Sequence, residues 1–151
     1  MIKRKVKLKD VCQLNSNNFK ERHKTKTIRY LDTGNITRNQ INIIQTLSQK
    51  TAPYPSRAKR RVKNKTIIYS TVRPIQEHFG IIDEPNEDLI VSTGFTTIDV
   101  IDDDIDPKFL YYALTQKNIT EYLQTVAMNS VSGVCCLNHS KSDVVIRKVP
   151  N

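Results

Sequence analysis

Four aspartates lie close together in the second half of the chain, at Asp102, Asp103, Asp104 and Asp106. Carboxylates grouped in this way can hold a divalent cation, as they do in metal-dependent nucleases. The group directly precedes a helical pattern, however, and carboxylates at the start of a helix cap free amides and interact favourably with the helix dipole. We therefore favour a helix cap over a metal site and keep a small metal-dependent nuclease as an alternative.

Other catalytic and metal-binding patterns are missing from the sequence. It has no GxxxxGK[ST] phosphate loop, no GxGxxG turn, no HExxH and no GxSxG. The histidines at 23, 78 and 139 are far apart. Cys135 and Cys136 lie near His139, but a structural zinc site needs a second pair of ligands. We therefore expect two core-facing thiols here, and we predict no catalytic residue, no metal ligand and no cofactor.

The basic residues offer a different chemistry, the binding of a polyanion. The segment PSRAKRR places Arg57, Lys59, Arg60 and Arg61 just after two prolines, and Arg73 lies directly before another proline. Arginine can donate two parallel hydrogen bonds to a guanine edge or clamp a phosphate, whereas lysine mostly supplies charge. Neighbouring polar residues extend the predicted DNA-reading surface, namely Tyr69, Ser70 and Thr71. A solvated charged surface is the alternative interpretation.

The distribution of charge favours nucleic acid as the partner. The formal net charge is +9, but residues 1–75 carry 19 Lys and Arg against 3 Asp and Glu, and the remainder carries 5 against 12. A strongly basic half attracts polyanions, with a membrane surface as the other option. No stretch approaches the roughly 20 apolar residues of a spanning helix, and the three cysteines fit a reducing compartment. We expect a soluble, cytoplasmic, DNA-binding protein.

The elements that must position these residues are strands and two helices within one domain of 151 residues. Four segments have strand character: 27–32 (TIRYLD), 66–72 (TIIYSTV), 89–101 (LIVSTGFTTIDVI) and 144–149 (VVIRKV). Asp106 and Pro107 predict the start of one helix, and Asn118 with Glu121 predicts a capping box for a second. Residues 36–50 show no convincing period.

Two local features concern the segments around the basic residues. Ser56 is expected to cap a short helical turn that carries Arg57, Lys59 and Arg60. Residues 32–35 (DTGN) favour a tight turn with a positive backbone angle.

Several motifs together resemble a known family. In order along the chain they are YLDTGNI at 30–36, PSRAKR at 55–60, IIYSTVRPIQEHFGII at 67–82, LIVSTGFTTI at 89–98 and FLYYALTQKNITEYLQTVA at 109–127. This series resembles target-recognition domains of the specificity subunit of type I restriction-modification enzymes. The resemblance extends over residues 6–127.

The resemblance implies a fold, a function and partners. It implies a single globular α/β (α+β) domain over residues 1–151, with a twisted sheet and flanking helices, that reads one half of a split site in double-stranded DNA. The implied partners are a methyltransferase subunit, which modifies adenine with S-adenosylmethionine, and a restriction subunit, which uses ATP and cleaves DNA. Neither cofactor is expected on this chain, which is itself non-catalytic.

The resemblance also assigns residues. It implies DNA contacts at Arg57, Lys59, Arg60 and Arg73, and structural turns at Gly34 and Gly94. Three departures stand out: residues 64–66 are Asn-Lys-Thr where the family commonly has Gly-Asp, residues 128–142 match poorly, and the spacer helix and second recognition domain are absent from the sequence.

These departures leave the assembly open. An isolated domain, a product of a split gene and a remnant without function are all compatible with the sequence, as is pairing with a second recognition domain. A regulatory module that binds the methyltransferase subunit is a further alternative.

Overall fold

The computed structural model describes residues 3–20, 27–129 and 143–147. The strands are Lys3–Lys7 (β1), Cys12–Leu14 (β2), Thr27–Leu31 (β3), Ile36–Thr37 (β4), Gln40–Ile41 (β5), Gln45–Ser48 (β6), Ala58–Arg61 (β7), Ile67–Ser70 (β8), Phe79–Ile81 (β9), Leu89–Ser92 (β10), Phe95–Val100 (β11) and Asp143–Arg147 (β12). The helices are Leu8–Val11 (α1), Pro107–Leu114 (α2) and Lys117–Met128 (α3). None of the helices in these residues is long and apolar enough to cross a membrane.

Two four-stranded sheets form the body of the described structure. Sheet I has the order β2-β11-β8-β9 and is antiparallel throughout. Sheet II has the order β6-β3-β10-β7, in which β3 and β10 are parallel and the other pairs antiparallel. Two small sheets, β1-β12 and β4-β5, complete the strands. The predicted mixed α/β class is confirmed, with two packed sheets where the sequence indicated one.

Alternating side chains on β8 show how the layers pack. Ile67 and Tyr69 face the helices on one side of sheet I, whereas Ile68 packs with residues of sheet II. All three are at most 1% exposed. Because successive side chains of a strand point to opposite faces, a strand that is apolar at every position must be covered on both faces. The layers are therefore helices, sheet I and sheet II.

A third cluster covers the far face of sheet II. Ile28 and Tyr30 of β3 and Ile90 of β10 pack there against Phe19 and Tyr54, which lie in connecting segments. The rings of Phe19 and Tyr54 are 6.0 Å apart. Two aromatic side chains from connecting segments thus cover this face of sheet II, as the helices cover the outer face of sheet I.

The start of α2 agrees with the sequence, and the start of α3 does not. The Asp106 carboxylate accepts hydrogen bonds from the backbone amides of Lys108 (2.7 Å) and Phe109 (3.3 Å), which confirms the predicted cap. Helix α3 begins at Lys117 with Gln116 as its N-cap and no side-chain cap bond. The predicted capping box at Asn118 was wrong because that residue already lies inside the helix.

Three local predictions need correction. Residues 89–101 form two strands separated by a turn at 93–94, β10 in sheet II and β11 in sheet I, and not one strand. Residues 55–58 form a single turn, with the Ala58 amide donating to the Pro55 carbonyl at 2.9 Å, and Lys59 and Arg60 lie in strand β7, not in a helical turn. Residues 32–35 include a 3-10 turn that Asp32 caps through the amide of the next residue at 2.8 Å, and none of the four has a positive φ.

Strand directions bring several connections to one end of the two sheets. Because β3 and β10 are parallel, Leu31 and Ser92 end at the same side, and β7 begins there with Ala58 opposite Ser92. The turn at 93–94 then leads to Phe95, which pairs with Ser70, the last residue of β8. We call this side the loop end: residues 32–35, 38–39, 57, 71–77 and 93–94.

Three other connections lie at the opposite end of the sheets. They are residues 62–66 between β7 and β8, 82–88 between β9 and β10, and 101–106 after β11. The last two contain most of the acidic residues of the chain. The basic run that is continuous in sequence is therefore divided, since Arg57 lies at the loop end and Lys63 and Lys65 lie at the opposite end.

Candidate nucleic-acid interface

Arg57 lies at the loop end, directly before β7, and its side chain is exposed. Its carbonyl accepts a hydrogen bond from the Thr93 amide at 2.8 Å, which ties its backbone to the turn between β10 and β11. Its guanidinium lies over Gly94, where a β-carbon would overlap Nη2 and come within 3.5 Å of Cζ. With Arg57 in this position, there is no room for a side chain at Gly94. At Gly34, by contrast, a β-carbon would meet nothing within 4 Å.

Buried polar groups support this turn from below. The Gly94 amide donates to Ser92 Oγ at 3.1 Å, and the Gly94 carbonyl accepts from the Thr71 amide at 3.2 Å. Burial raises the pKa of Tyr30, while a hydrogen bond from Ser92 and the nearby charge of Arg57 act to lower it. The backbone turn beneath the Arg57 guanidinium is therefore held by hydrogen bonds.

Arg73 is the second exposed arginine of the loop end, and its backbone is strained. It has φ 48° and ψ 68°, in the left-handed region, and Glu77 has φ 58° and ψ 35°. Non-glycine residues in this region cost roughly 1–2 kcal/mol each. The 3-10 turn Pro74–Gln76 lies between them. Backbone strain of this kind is found where function requires a fixed geometry.

Contacts to two other elements hold this strained turn. The Ile75 amide donates to Oε1 of Gln124 on α3 at 3.1 Å. Arg38 Nε lies 3.1 Å from Oε2 of Glu77, and the Arg38 amide donates to the Glu77 carbonyl at 2.9 Å. Arg38 and Asn39 have φ 44° and 63°, as a tight hairpin turn between β4 and β5 requires. Arg38 was not predicted from the sequence.

Arg60 and Arg61 are only partly exposed. Arg60 Nη1 donates to Asn18 Oδ1 at 3.2 Å, and burial lowers its pKa. The Arg61 guanidinium lies 5.6 Å from the ring centroid of Phe19. Arg60 and Arg61 are successive residues of β7, paired with Val91 and Ile90, so their side chains point to opposite faces of sheet II. Each guanidinium thus makes one contact within the fold, although Nε of both arginines is buried without a hydrogen-bond partner.

The structure places the side chains of Tyr69 and Ser70, two of the predicted DNA-binding residues, below the surface. Tyr69 is 1% exposed, stacks on Phe79 at 5.3 Å between ring centroids, and lies 3.3 Å from Thr120 Oγ1 through its hydroxyl. Ser70 is 3% exposed, and its hydroxyl donates to the Val72 carbonyl at 3.0 Å. Both side chains are buried, so neither reaches a ligand at the surface in this structure.

Thr71 and Lys59 keep accessible side chains near Arg57. Thr71 Oγ1 donates to the Gly94 carbonyl at 3.4 Å and is partly exposed. Lys59 is exposed on β7, and its carbonyl accepts from the Phe19 amide at 2.7 Å. Within the described residues, Arg57, Lys59 and Arg73 form no ion pair with a carboxylate. Their charges are available to an external anion.

The aspartate group lies at the opposite end, far from these cations. Asp102 Oδ1 accepts from the Asp104 amide at 2.9 Å, and Asp106 caps α2. In residues 3–20, 27–129 and 143–147, no group of three His, Cys, Asp or Glu side chains could hold a metal ion. Cys135, Cys136, His139 and His23 lie outside the described residues.

The fold and the loop end define a small α/β domain that presents exposed arginines on hydrogen-bonded turns, suited to binding a polyanion. Residues 3–133 match the family model of the type I restriction modification DNA specificity domain. The chain therefore belongs to that family.

Similar proteins agree with this membership. The type I restriction enzyme HindI specificity subunit of Haemophilus influenzae is 28% identical over 98 residues, which are 65% of this chain and 21% of that protein. The HsdS subunit from Thermoanaerobacter tengcongensis shares the fold with a TM-score of 0.74 and 23% identity, over 90% of this chain and 35% of that one. A structure describing complex assembly and conformational transition of the type I R-M system gives a TM-score of 0.69 and 21% identity, over 97% and 35%. This chain thus corresponds to about a third or less of each relative.

Proposed function

We propose that this chain is a non-catalytic domain that recognises one half of a split sequence in double-stranded DNA, as part of a type I specificity subunit. One observation carries the proposal: Arg57 and Arg73 lie exposed at the same end of the sheets, each on a support fixed by hydrogen bonds. A fixed arginine can donate two parallel hydrogen bonds to one guanine, which a mobile one does less well. Family membership supports the same function.

The three free cations divide into two roles. Arg57 and Arg73 contact base edges or clamp phosphates next to them, and Thr71 adds a hydroxyl beside Arg57. Lys59 contributes charge that positions the domain on the phosphate backbone, a contact that carries no sequence information. Arg60 and Arg61 act indirectly, because their contacts with Asn18 and Phe19 hold the edge strand that follows Arg57.

The partners follow from the family. We propose that the chain directs a methyltransferase subunit, which modifies adenine with S-adenosylmethionine, and a restriction subunit, which uses ATP, to the DNA sequence that it reads, in the cytoplasm. A type I R-M complex is the subject of one of the matching structures. Neither cofactor is assigned to this chain, and pairing with a second recognition domain would complete the split site.

Selection of bound duplexes from a random DNA pool at about 0.15 M salt tests the proposal, because exposed charges are largely screened there beyond roughly 8 Å. Enrichment of one short motif is expected. Arg57→Ala and Arg73→Ala should each weaken binding to that motif by about 1–3 kcal/mol if the residue contacts a base through two hydrogen bonds. Recovery of unselected DNA would contradict sequence recognition by this chain.

Two further measurements separate the alternatives. Magnesium-dependent cleavage by the purified chain, lost in Asp103→Asn, would support a nuclease. Co-purification with the methyltransferase subunit, without DNA binding by the chain itself, would support a regulatory module.

A further inference from the structure

An apolar side chain projects from the loop end beside the arginines. Ile75 is 52% exposed at the centre of the turn Pro74–Gln76, two residues after Arg73. Val72, 38% exposed, lies on the other side of Arg73. Single exposed isoleucines are common on protein surfaces, so exposure alone indicates nothing. The support of this side chain is what distinguishes it.

The turn that carries Ile75 is fixed at its ends and at its centre. Left-handed backbone angles at Arg73 and Glu77 bracket it, and the Glu77 amide donates to the Pro74 carbonyl at 3.0 Å. The Ile75 amide itself is bound by Gln124 of α3. Because the backbone is fixed at its own amide, the Ile75 side chain is presented in one direction at little further cost in conformational entropy.

The chemistry of duplex DNA then limits what Ile75 can contact. Phosphates and most base-edge groups are polar, and they suit Arg57 and Arg73. In the major groove the apolar group that a base edge presents is the C5-methyl group of thymine. We propose that Ile75 contacts a thymine methyl group and so contributes to the choice of an A·T pair at one position. This inference rests on the proposed DNA recognition.

Insertion of Ile75 between two base pairs is the competing use of an apolar side chain at a DNA interface. The two differ in their dependence on the methyl group. Affinity from a contact with thymine depends on that methyl group. Affinity from insertion depends on the separation of two stacked base pairs, so removal of the methyl group should change it little.

Ile101 provides a matched control. It is 50% exposed, nearly as much as Ile75. It follows the last residue of β11, and its amide donates to the Val11 carbonyl at 2.9 Å, at the end of sheet I opposite the loop end. Ile101→Ala therefore removes the same side chain from a similar environment without touching the proposed interface.

The experiment uses the full chain, its I75A and I101A variants, and two random duplex pools, one with thymine and one with deoxyuridine in its place. The wild-type chain should select one motif from the thymine pool. The deoxyuridine pool should return the same motif except at one A·T position, where the preference for that base pair is lost. Removal of that one methyl group should weaken binding about fourfold, the value for one buried methyl-sized group. I75A should show no difference between the pools, and I101A should behave as the wild type.

The other outcomes are distinct. If the wild type selects a motif and every position is the same in both pools, the Ile75 contact is wrong and DNA recognition stands. If I75A weakens binding to both pools equally, Ile75 inserts into the stack and the methyl contact is again wrong. If the wild type selects no motif from either pool, the proposed recognition fails and this inference fails with it.

Discussion

The guanidinium of Arg57 lies against the backbone of Gly94, in space that any larger residue would fill with its β-carbon. The two residues are 37 positions apart in sequence. They meet because Ala58, which starts β7, pairs with Ser92, which ends β10. The pairing of β7 with β10 thus determines the position of Arg57 at the loop end.

Gly94→Ala should displace Arg57 and weaken specific DNA binding while leaving the fold intact. A β-carbon at this position would meet the ends of the Arg57 and Thr33 side chains, which can move, and no left-handed angle at Gly94 forbids alanine. We expect a loss of about 1 kcal/mol or more in binding to the selected motif, up to that of Arg57→Ala, measured by titration at fixed salt. Unchanged affinity would show that the position of Arg57 is unimportant. Gly34→Ala, where nothing lies within 4 Å, is the matched control.

Lys59→Ala should weaken binding to all sequences alike. A lysine that contacts phosphate contributes to the salt dependence of affinity, so the slope of log K against log salt should become less negative by about 1. Affinities for the selected motif and for a scrambled duplex, measured at several salt concentrations, give both slopes. A change confined to the selected motif would instead place Lys59 at a base edge.

Arg73→Gly should stabilise the fold and weaken DNA binding at the same time. Glycine adopts the left-handed angles of this position without the penalty that arginine has, so we expect a gain of about 0.5–1 kcal/mol in the free energy of unfolding. Chemical denaturation measures this gain. Arg73→Ala removes the same charge and keeps the strain, so it should lose DNA affinity without gaining stability. Equal stability of the two variants would contradict the strain assigned to Arg73.

Elements with a strong local pattern could be predicted from the sequence. Strand β3 follows from its β-branched and aromatic residues, and α2 follows from Asp106 as its cap. The capping box at Asn118 failed because a cap depends on where the preceding helix ends, and Gln116 already opens α3.

The composition of the site was harder to predict, because it depends on contacts between distant elements. Tyr69 looks like a candidate beside Arg73, but α3 covers its face of sheet I and its hydroxyl meets Thr120, 51 residues away. Arg38 shows the reverse case. Only its hairpin turn and its contact with Glu77 bring it to the loop end, and residues 36–50 have no period that indicates a hairpin.

Tyr69→Phe should reduce stability and leave sequence preference unchanged. The hydroxyl of this buried ring lies 3.3 Å from Thr120 Oγ1, and loss of one such hydrogen bond costs about 1 kcal/mol. Chemical denaturation should detect this loss, and selection from random DNA should return the wild-type motif. An altered motif with unchanged stability would instead indicate that Tyr69 contacts DNA. Tyr112→Phe, on an exposed ring, serves as the control and should change neither quantity.

The Cys12 thiol should be unreactive towards alkylation in the folded chain. Its ionisation should also lower the free energy of unfolding at alkaline pH. Burial, with the nearby charges of Asp99 and Asp102, raises its pKa from 9.0 to about 12. Iodoacetamide at about pH 8 should therefore label Cys12 only after unfolding, as peptide mapping can show, because the thiolate is the reactive form. Since the folded chain holds the neutral thiol, its contribution to stability is fully present below pH 9.0 and is lost as the pH rises towards about 12. The free energy of unfolding should consequently fall more steeply above pH 9 in the wild type than in Cys12→Ala, and parallel curves would show that Cys12 titrates alike in both states.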